Sequence, residues 1–533
     1  MFSNISNFRS LGKLRFKNNI INNRYMSNNN FKTNLIVATD SKWGISKQNN
    51  IPWNIKEDSN FFADVTKRQY EKNKLNVVIM GKNTWKALPN AMRGLKDRIN
   101  IVISSSMTED ELNIDNTTKT ESYVVKSFNE GIKLCNKLNP GKVFIGGGSS
   151  IYKEAIEKLN IDEIYLTKIQ GDYGCDNKFP ISSSKFDIFS YNVYSTKTFN
   201  CTDQNTKLPV EVTFSKFYKG ELPAHLNINK EEQQYLDLLE NVIKTGHFRQ
   251  TRNSKTWTKF GKTIEFDLNK GFPILTTKKV FFRGVFEELL FFLKGDTNAK
   301  HLSDKGVKIW DANTSREFLD SVGLNHYDPF TLGPMYGFNM KHFNAPYSGP
   351  NSDYTSCGFD QIKYCLDLLK KDPFSRRVLM TTYNPSYASE GCLFPCHGIA
   401  ILFNVEPETL NSKDEVYKLS CMMFQRSADN FCGVPFNICS YSILIHLFCE
   451  IINNDASYKG PKFIPGRLIM NLGDTHIYED HYAQCIRQIL RDSHNFPQLI
   501  FKRKVTELTD FKFEDLELVN YESYPNIIAK MVA

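Results

Sequence analysis

Between residues 33 and 218, short apolar runs alternate with amphipathic stretches. The runs at 35–39, 77–80, 99–104, 123–125 and 143–145 are mostly apolar, as in strands buried on both faces. Apolar residues recur at helical spacing over 58–67, 128–138 and 150–159, while 164–169 and 210–218 read as closing strands. This order predicts an α/β domain, a mostly parallel central sheet flanked by helices. A short polar stretch at 219–230, containing Gly220 and Pro223, separates it from a region of different habit. From Glu231 a helix carrying Tyr235, Leu236, Leu239, Val242 and Ile243 opens that region, which has longer helices, longer loops and many aromatic residues. The expected organisation is a tail at 1–32, domains at 33–218 and 231–533, and a linker at 219–230. No internal repeat relates the two halves.

Composition narrows the class. With 533 residues, 41% hydrophobic and 23% charged, the chain can bury sizeable cores, which excludes extended disorder, collagen or a disulfide scaffold for the whole. No apolar stretch reaches the ~18 residues that a membrane span needs; the best, 438–452, is broken by Ser440, Ser442, His446 and Glu450. Twelve cysteines without regular spacing suggest buried thiols in a reduced compartment. The net charge of +9 suggests anionic partners, but Arg9, Lys13, Arg15, Lys17, Arg24 and Lys32 all precede the first acid, Asp40. That acid-free tail, with Phe8, Leu11 and Leu14 at near-helical spacing, reads as a transit peptide processed near Arg24-Tyr25-Met26-Ser27, or as a disordered or docked Asn-rich tail with Met26 as a second start. Cytoplasmic placement is expected, or mitochondrial if 1–32 is a transit peptide.

In the first half, Ile51-Pro52-Trp53 is followed by Asp58 at the start of an apolar helix. Alone, such an acid is a helix-terminal charge favoured by the dipole. Val143-Phe144-Ile145-Gly146-Gly147-Gly148-Ser149 is a strand, a glycine turn and a helix start, where backbone N–H groups approach a phosphate closely. Together with Gly44-Ile45, Phe61-Phe62, Met80-Gly81-Lys82-Asn83-Thr84-Trp85 and Arg93-Gly94-Leu95-Lys96-Asp97-Arg98, these motifs resemble dihydrofolate reductase over nearly all of 33–218. The resemblance implies that Asp58 binds the pterin and promotes protonation of N5, supported by Thr167 and a water held by Trp53. Ile51 and Phe62 would pack on the folate rings, and Arg98 would pair with the folate carboxylate. Ala38, Gly44 and Ile45 would line the nicotinamide, with Gly147, Gly148 and Ser149 at the diphosphate. Lys82, Thr84, Ser104 and Lys126 would take the rest of NADPH. Ser105 stands where many relatives have Arg, so preference for the 2′-phosphate leans on Lys82 and Lys126.

In the second half, Cys392, Cys396 and His397 invite a metal reading, but no second cluster has ligand spacing. A catalytic thiol needs nearby positive charge, for which Arg376, Arg377 and Arg426 are candidates. Phe272-Pro273-Ile274-Leu275-Thr276-Thr277-Lys278-Lys279, Pro395-Cys396-His397, Gln425-Arg426-Ser427-Ala428-Asp429 and Gly433-Val434-Pro435-Phe436-Asn437 occur in order, followed by Leu472-Gly473-Asp474-Thr475-His476-Ile477-Tyr478. From about Glu231 onward the chain resembles thymidylate synthase, which implies an α+β domain. The whole resembles the bifunctional dihydrofolate reductase–thymidylate synthase family. By that resemblance Cys396 adds to C6 of dUMP, with Glu288 organising proton transfers and Tyr336 assisting removal of the C5 proton. Arg252, Gln425, Arg426, Ser427 and Asp429 would bind dUMP, His476 and Tyr478 its ribose. Asn437 presents both donor and acceptor to uracil. Arg376 and Arg377 would reach the nucleotide of a neighbouring subunit, which requires a homodimer. Trp310, Asn313, Asp429, Gly433, Phe436 and the C-terminal Ala533 would seat methylenetetrahydrofolate. The loop after Arg252 lacks the glycine–threonine alternation of the family, Tyr383 replaces a usual Trp, and Cys432 a usual Leu.

One chain performing both reactions, without a metal, is the leading reading. The alternative is a chain with only one half active. A nucleic-acid-binding regulator would need a basic stripe or lost catalytic groups, whereas Asp58, Cys396, Glu288 and Asn437 are all present. Neither nucleic acid nor membrane is expected as a partner.

Overall fold

The computed structural model describes residues 30–89, 93–112, 120–226, 229–251, 254–408 and 416–530. Nearly all of the basic tail, Arg252 and Ala533 lie outside the described residues.

The sheet of the first half has six parallel strands, in the order Ser122–Val125, Ile99–Ile103, Val77–Gly81, Val143–Ile145, Thr33–Thr39 and Glu163–Ile169. Pro209–Tyr218 and Asn192–Thr202 extend it antiparallel. Alternation sends Leu35 and Val37 to one face, with Phe128, Ile132 and Ile151, and Ile36 to the other, with Phe61 and Val65. The Lys56–Lys67 helix therefore covers one face, and the Phe128–Leu138 and Ser149–Lys158 helices the other. Ser127 caps the Phe128 helix by accepting the Glu130 N–H at 3.3 Å, and Asn139 ends it at φ 48°. The Asn192–Thr202 edge strand was not expected, because its outward residues are polar and largely exposed.

In the second half six strands run in the order His247–Gln250, Lys255–Asp267, Lys462–Tyr478, Val416–Asp429, Ala400–Pro407 and Leu379–Met380. All neighbours are antiparallel except Val416–Asp429 and Lys462–Tyr478, which run parallel. The edge strand is only two residues long: Leu379 and Met380 pair with Leu402 and Ile401. The Gly433–Asn454 helix corrects the membrane-length expectation: by length and composition it is long and apolar enough to span a bilayer. However, 83% of its apolar window is buried inside the domain, and Phe448 stacks on Phe403 at 5.0 Å, so it is the core helix.

The halves meet where the Lys56–Lys67 helix crosses the Tyr482–Ile489 helix. Asp64 accepts hydrogen bonds from Arg487 at 2.8 and 2.7 Å and from Arg491 at 2.9 and 3.2 Å. Asp492 meets Arg68 at 2.9 Å and Lys216 at 2.5 Å. The helix after the linker, Lys230–Thr245, is capped by Asn229, whose Oδ1 accepts the N–H groups of Glu231 and Glu232.

Leu444 is fully buried in the core helix. Leu444→Ala is expected to lower the stability of the second half by about 2–5 kcal/mol, through lost transfer energy and a residual cavity. Denaturant unfolding measures it, and a loss below about 1 kcal/mol would contradict this packing.

Candidate active sites

The first cleft lies at the C-terminal ends of the parallel strands, where open α/β sheets place ligands. It encloses about 1030 Å³. Asp58, on the helix covering one face, projects into it with Trp53 and Phe62, while Ile51 stands at the mouth, 47% exposed. Burial pushes the Asp58 carboxyl up to about 6, against a hydrogen bond from Thr167 that lowers it. Trp53 Nε1 is buried and has no partner among the described residues. The far end is built from the glycine turn. Gly147 adopts φ 99°, its carbonyl accepts the Gly81 N–H at 2.8 Å, and Gly148 leads into the Ser149–Lys158 helix. Lys82, Thr84, Ser104, Lys126, Ala38 and Ile45 line the same cleft.

Two expected members stand beside the cleft rather than in its wall. Gly44 donates its N–H to Asp40 Oδ1 at 2.7 Å, and a Cβ there would lie 2.4 Å from that of Cys175, so glycine is required for close packing. Arg98 is 4% exposed, with its guanidinium 5.7 Å from the Phe62 ring centroid and Nη1 donating to Thr66 Oγ1 at 2.6 Å.

The second site gathers around Cys396. Its N–H donates to Tyr336 Oη at 2.8 Å, and Arg426 Nη2 lies 3.9 Å from Sγ. Burial pushes the thiol up while Arg426 pulls it back. Tyr336 stacks on Phe292 and meets Trp310 edge-on at 5.9 Å. Trp310 Nε1 donates to Glu288 Oε1 at 2.9 Å; burial nevertheless pushes Glu288 up to about 7. The parallel strand pair places Ser427 opposite Asp474 and Asp429 opposite His476, so Gln425, Arg426, Ser427 and Asp429 adjoin His476 and Tyr478. Gln425 Oε1 is buried and has no partner among the described residues. Asn437 is 6% exposed, one turn into the core helix; a Cβ on Gly433 would lie 3.6 Å from Asp429 and 3.9 Å from Asn437 Oδ1. Phe436 is half-buried and Asn313 buried.

Arg376 and Arg377 are exposed, just before the edge strand; among the described residues, Arg426 is the arginine at the thiol. Cys392 packs against Met335 Sδ at 3.7 Å. Asp429, Cys432 and His481 bring a carboxylate, a thiol and an imidazole within 4.8 Å of one another. His397 lies 4.7 Å from the Tyr336 ring and bonds Tyr441 Oη at 2.8 Å. Lys278 and His481 were missed. The ammonium of Lys278 bonds the Phe431 carbonyl, and burial pushes it down to about 8. Their only sequence signals were the Thr276-Thr277-Lys278 motif and the position of His481 three residues after Tyr478.

A family model described as dihydrofolate reductase matches residues 32–218, and one described as thymidylate synthase matches 233–533. The chain is 34% identical over 516 residues to the bifunctional dihydrofolate reductase-thymidylate synthase 2 of Arabidopsis thaliana, covering 93% of this chain and 88% of that protein. Bifunctional enzymes of Leishmania major, 36% identical, and Paramecium tetraurelia, 35% identical, are covered over 94% and 98% of their lengths, each matching 93% of this chain.

Burial of Asp58 has a stability consequence. Its folded pKa of about 6 exceeds the ordinary 3.8, so folding opposes ionisation; the cost is absent below about pH 4 and complete above about pH 6. Asp58→Asn should therefore be more stable than the native chain at pH 8, by up to about 3 kcal/mol, and no more stable at pH 4. Urea unfolding at both pH values checks this; a variant less stable at pH 8 would contradict it.

Proposed function

The chain belongs to the family of bifunctional dihydrofolate reductase–thymidylate synthases and carries both activities; from that premise we propose how its residues divide the work. The observation that carries the assignment is a pair of carboxyls, one in each half, held near neutrality by burial: Asp58 at about 6 and Glu288 at about 7.

In the reductase half, the residues present fit NADPH. A glycine turn at a helix N-terminus and two lysines face the same wall, complementary to phosphate. NADPH supplies the hydride when bound. Asp58 holds the pterin amino group and N3 and promotes protonation of N5, a task suited to its raised pKa. Thr167 orients Asp58, and the buried Trp53 Nε1 suits a bridging water. Phe62 and Ile51 flank the folate rings. Arg98, steadied by Thr66 and Phe62, takes the folate carboxylate. Gly44 acts indirectly, by letting the strand carrying Ile45 pack against Cys175.

In the synthase half, the Cys396 thiolate forms a bond to C6 of dUMP, and C5 becomes the nucleophile toward the one-carbon unit of methylenetetrahydrofolate. C5 then loses its proton, a hydride from the tetrahydrofolate ring reduces the transferred carbon to a methyl group and leaves dihydrofolate, and the Cys396–C6 bond breaks to release dTMP. Arg426 favours the thiolate. Arg252, Arg426, Ser427 and Gln425 receive the phosphate end, His476 and Tyr478 the ribose, and Asn437 the uracil edge. Glu288 and Tyr336 move protons, while Trp310, Asn313, Asp429, Gly433, Phe436 and Ala533 seat the folate. The released dihydrofolate is the substrate of the first half.

The outer face of the synthase sheet supports a homodimer. Leu379, Leu402, Met422 and Ile469 form one cross-strand row over four strands, with Leu379 46% and Met422 40% exposed and Phe424, 40% exposed, beside it. Such a face is suited to an isologous contact. It would let exposed Arg376 and Arg377 serve the neighbouring nucleotide. Cytoplasmic residence, or mitochondrial residence directed by 1–32, completes the reading.

Supplied with dUMP, methylenetetrahydrofolate and NADPH, Cys396→Ala should make no dTMP yet oxidise NADPH when given dihydrofolate; Asp58→Asn should make dTMP and oxidise little NADPH. Either activity surviving in its matching variant would overturn that residue's role. After subunit exchange, Cys396→Ala mixed with the double variant Arg376→Glu, Arg377→Glu should regain about a quarter of native synthase activity, since mixed dimers hold one complete site. No recovery would remove the shared-site reading.

A further inference from the structure

After its last strand, Leu516–Val519, the chain runs along the seam between the halves to Lys530 without regular structure. Tyr521 Oη donates to Leu275 O and the Tyr524 N–H to Thr276 O, both at 2.8 Å. Arg491 Nη1 donates to Pro525 O at 3.1 Å, and His481 Nε2 bonds Lys530 O at 2.7 Å. The Tyr524 ring, 7% exposed, receives a guanidinium from each half: Arg491 at 4.8 Å and Arg68 at 5.8 Å from its centroid. Both cations are fixed across the seam, Arg491 by Asp64 and Arg68 by Asp492. The Arg491 side chain is 1% exposed, so without Asp64 its charge would be buried with only carbonyl partners.

This segment ends at the wall of the synthase site. His481, which holds the Lys530 carbonyl, shares the 4.8 Å cluster with Asp429. Arg491 Nη1 also donates at 2.6 Å to Thr277 O, next to Lys278, whose ammonium bonds Phe431 O. Asp64 and Arg68 do not line the reductase cleft. We infer that Asp64 and Arg68, residues of the reductase half, are positioning residues for the synthase reaction: through Arg491 and Tyr524 they hold the 521–530 segment against the folate-binding wall. The inference rests on the proposed seating of folate at Asp429. It gives the covalent linkage of the two enzymes a structural role, because the synthase site is completed by side chains of its fused neighbour.

The test is steady-state kinetics of the full chain carrying Asp64→Asn, Arg68→Met or Tyr524→Leu, the last of which removes the ring and leaves every ion pair intact. The synthase KM for methylenetetrahydrofolate should rise by about fivefold or more, with synthase kcat and both reductase constants within about twofold of native. Arg68→Lys, which keeps a cation over the ring, should recover most of the loss. Unchanged KM in Tyr524→Leu and Arg68→Met would overturn the inference, as would synthase and reductase rates falling by one common factor. Asp429→Ala separates the premise: if it leaves the folate KM unchanged, the seating reading fails and takes the inference with it. If it raises KM while the seam variants do not, the inference alone fails.

Discussion

Two guanidinium groups, those of Arg487 and Arg491, close on the single carboxylate of Asp64, with the side chains of Asp64 and Arg491 12% and 1% exposed. Desolvating such charges costs about as much as their attraction returns, so the contact contributes little net stability while making any other docking of the two halves expensive. Asp492 does the same for Arg68 and Lys216. These contacts set the angle between two helices that each lead to chemistry. The Lys56–Lys67 helix carries Asp58, and the Tyr482–Ile489 helix follows the strand that ends at His476 and Tyr478.

The same physics, with the partner changed, tunes the reacting groups. Burial alone raises a carboxyl; what surrounds it decides whether the rise survives. Asp64 is held below its ordinary value because two guanidiniums outweigh burial, and Glu163 falls to about 2 beside His225 and Lys142. Asp58 and Glu288 have only neutral donors, Thr167 and Trp310, and stay near 6 and 7. Asp64 and Glu163, buried next to cations, hold the molecule together; Asp58 and Glu288, buried next to neutral donors, remain able to exchange protons. Cys396 lies between these cases, raised by burial and relieved by Arg426.

Much of this was legible in the sequence. The continuous apolar strands and their helices were read within a few residues, because burial on both faces leaves an uninterrupted hydrophobic record. Asp58, Cys396, Glu288 and Asn437 were legible through the motifs around them. The Asn192–Thr202 strand was not, since an exposed edge strand leaves a polar record. The apolar Gly433–Asn454 helix was underestimated because its buried Ser440 and Ser442 read as interruptions. Least legible was the seam. Asp64 and Arg491 are separated by 427 positions, and each in isolation resembles an ordinary surface charge. Gly44, expected to line the nicotinamide, instead packs closely against Cys175.

The central claim is that both halves work on one folate cycle. The most direct test follows dTMP formation and NADPH oxidation in one vessel containing the full chain, dUMP, methylenetetrahydrofolate and NADPH. After a short lag, NADPH should be oxidised at the rate at which dTMP appears, one for one. Accumulation of dTMP with NADPH untouched would contradict it.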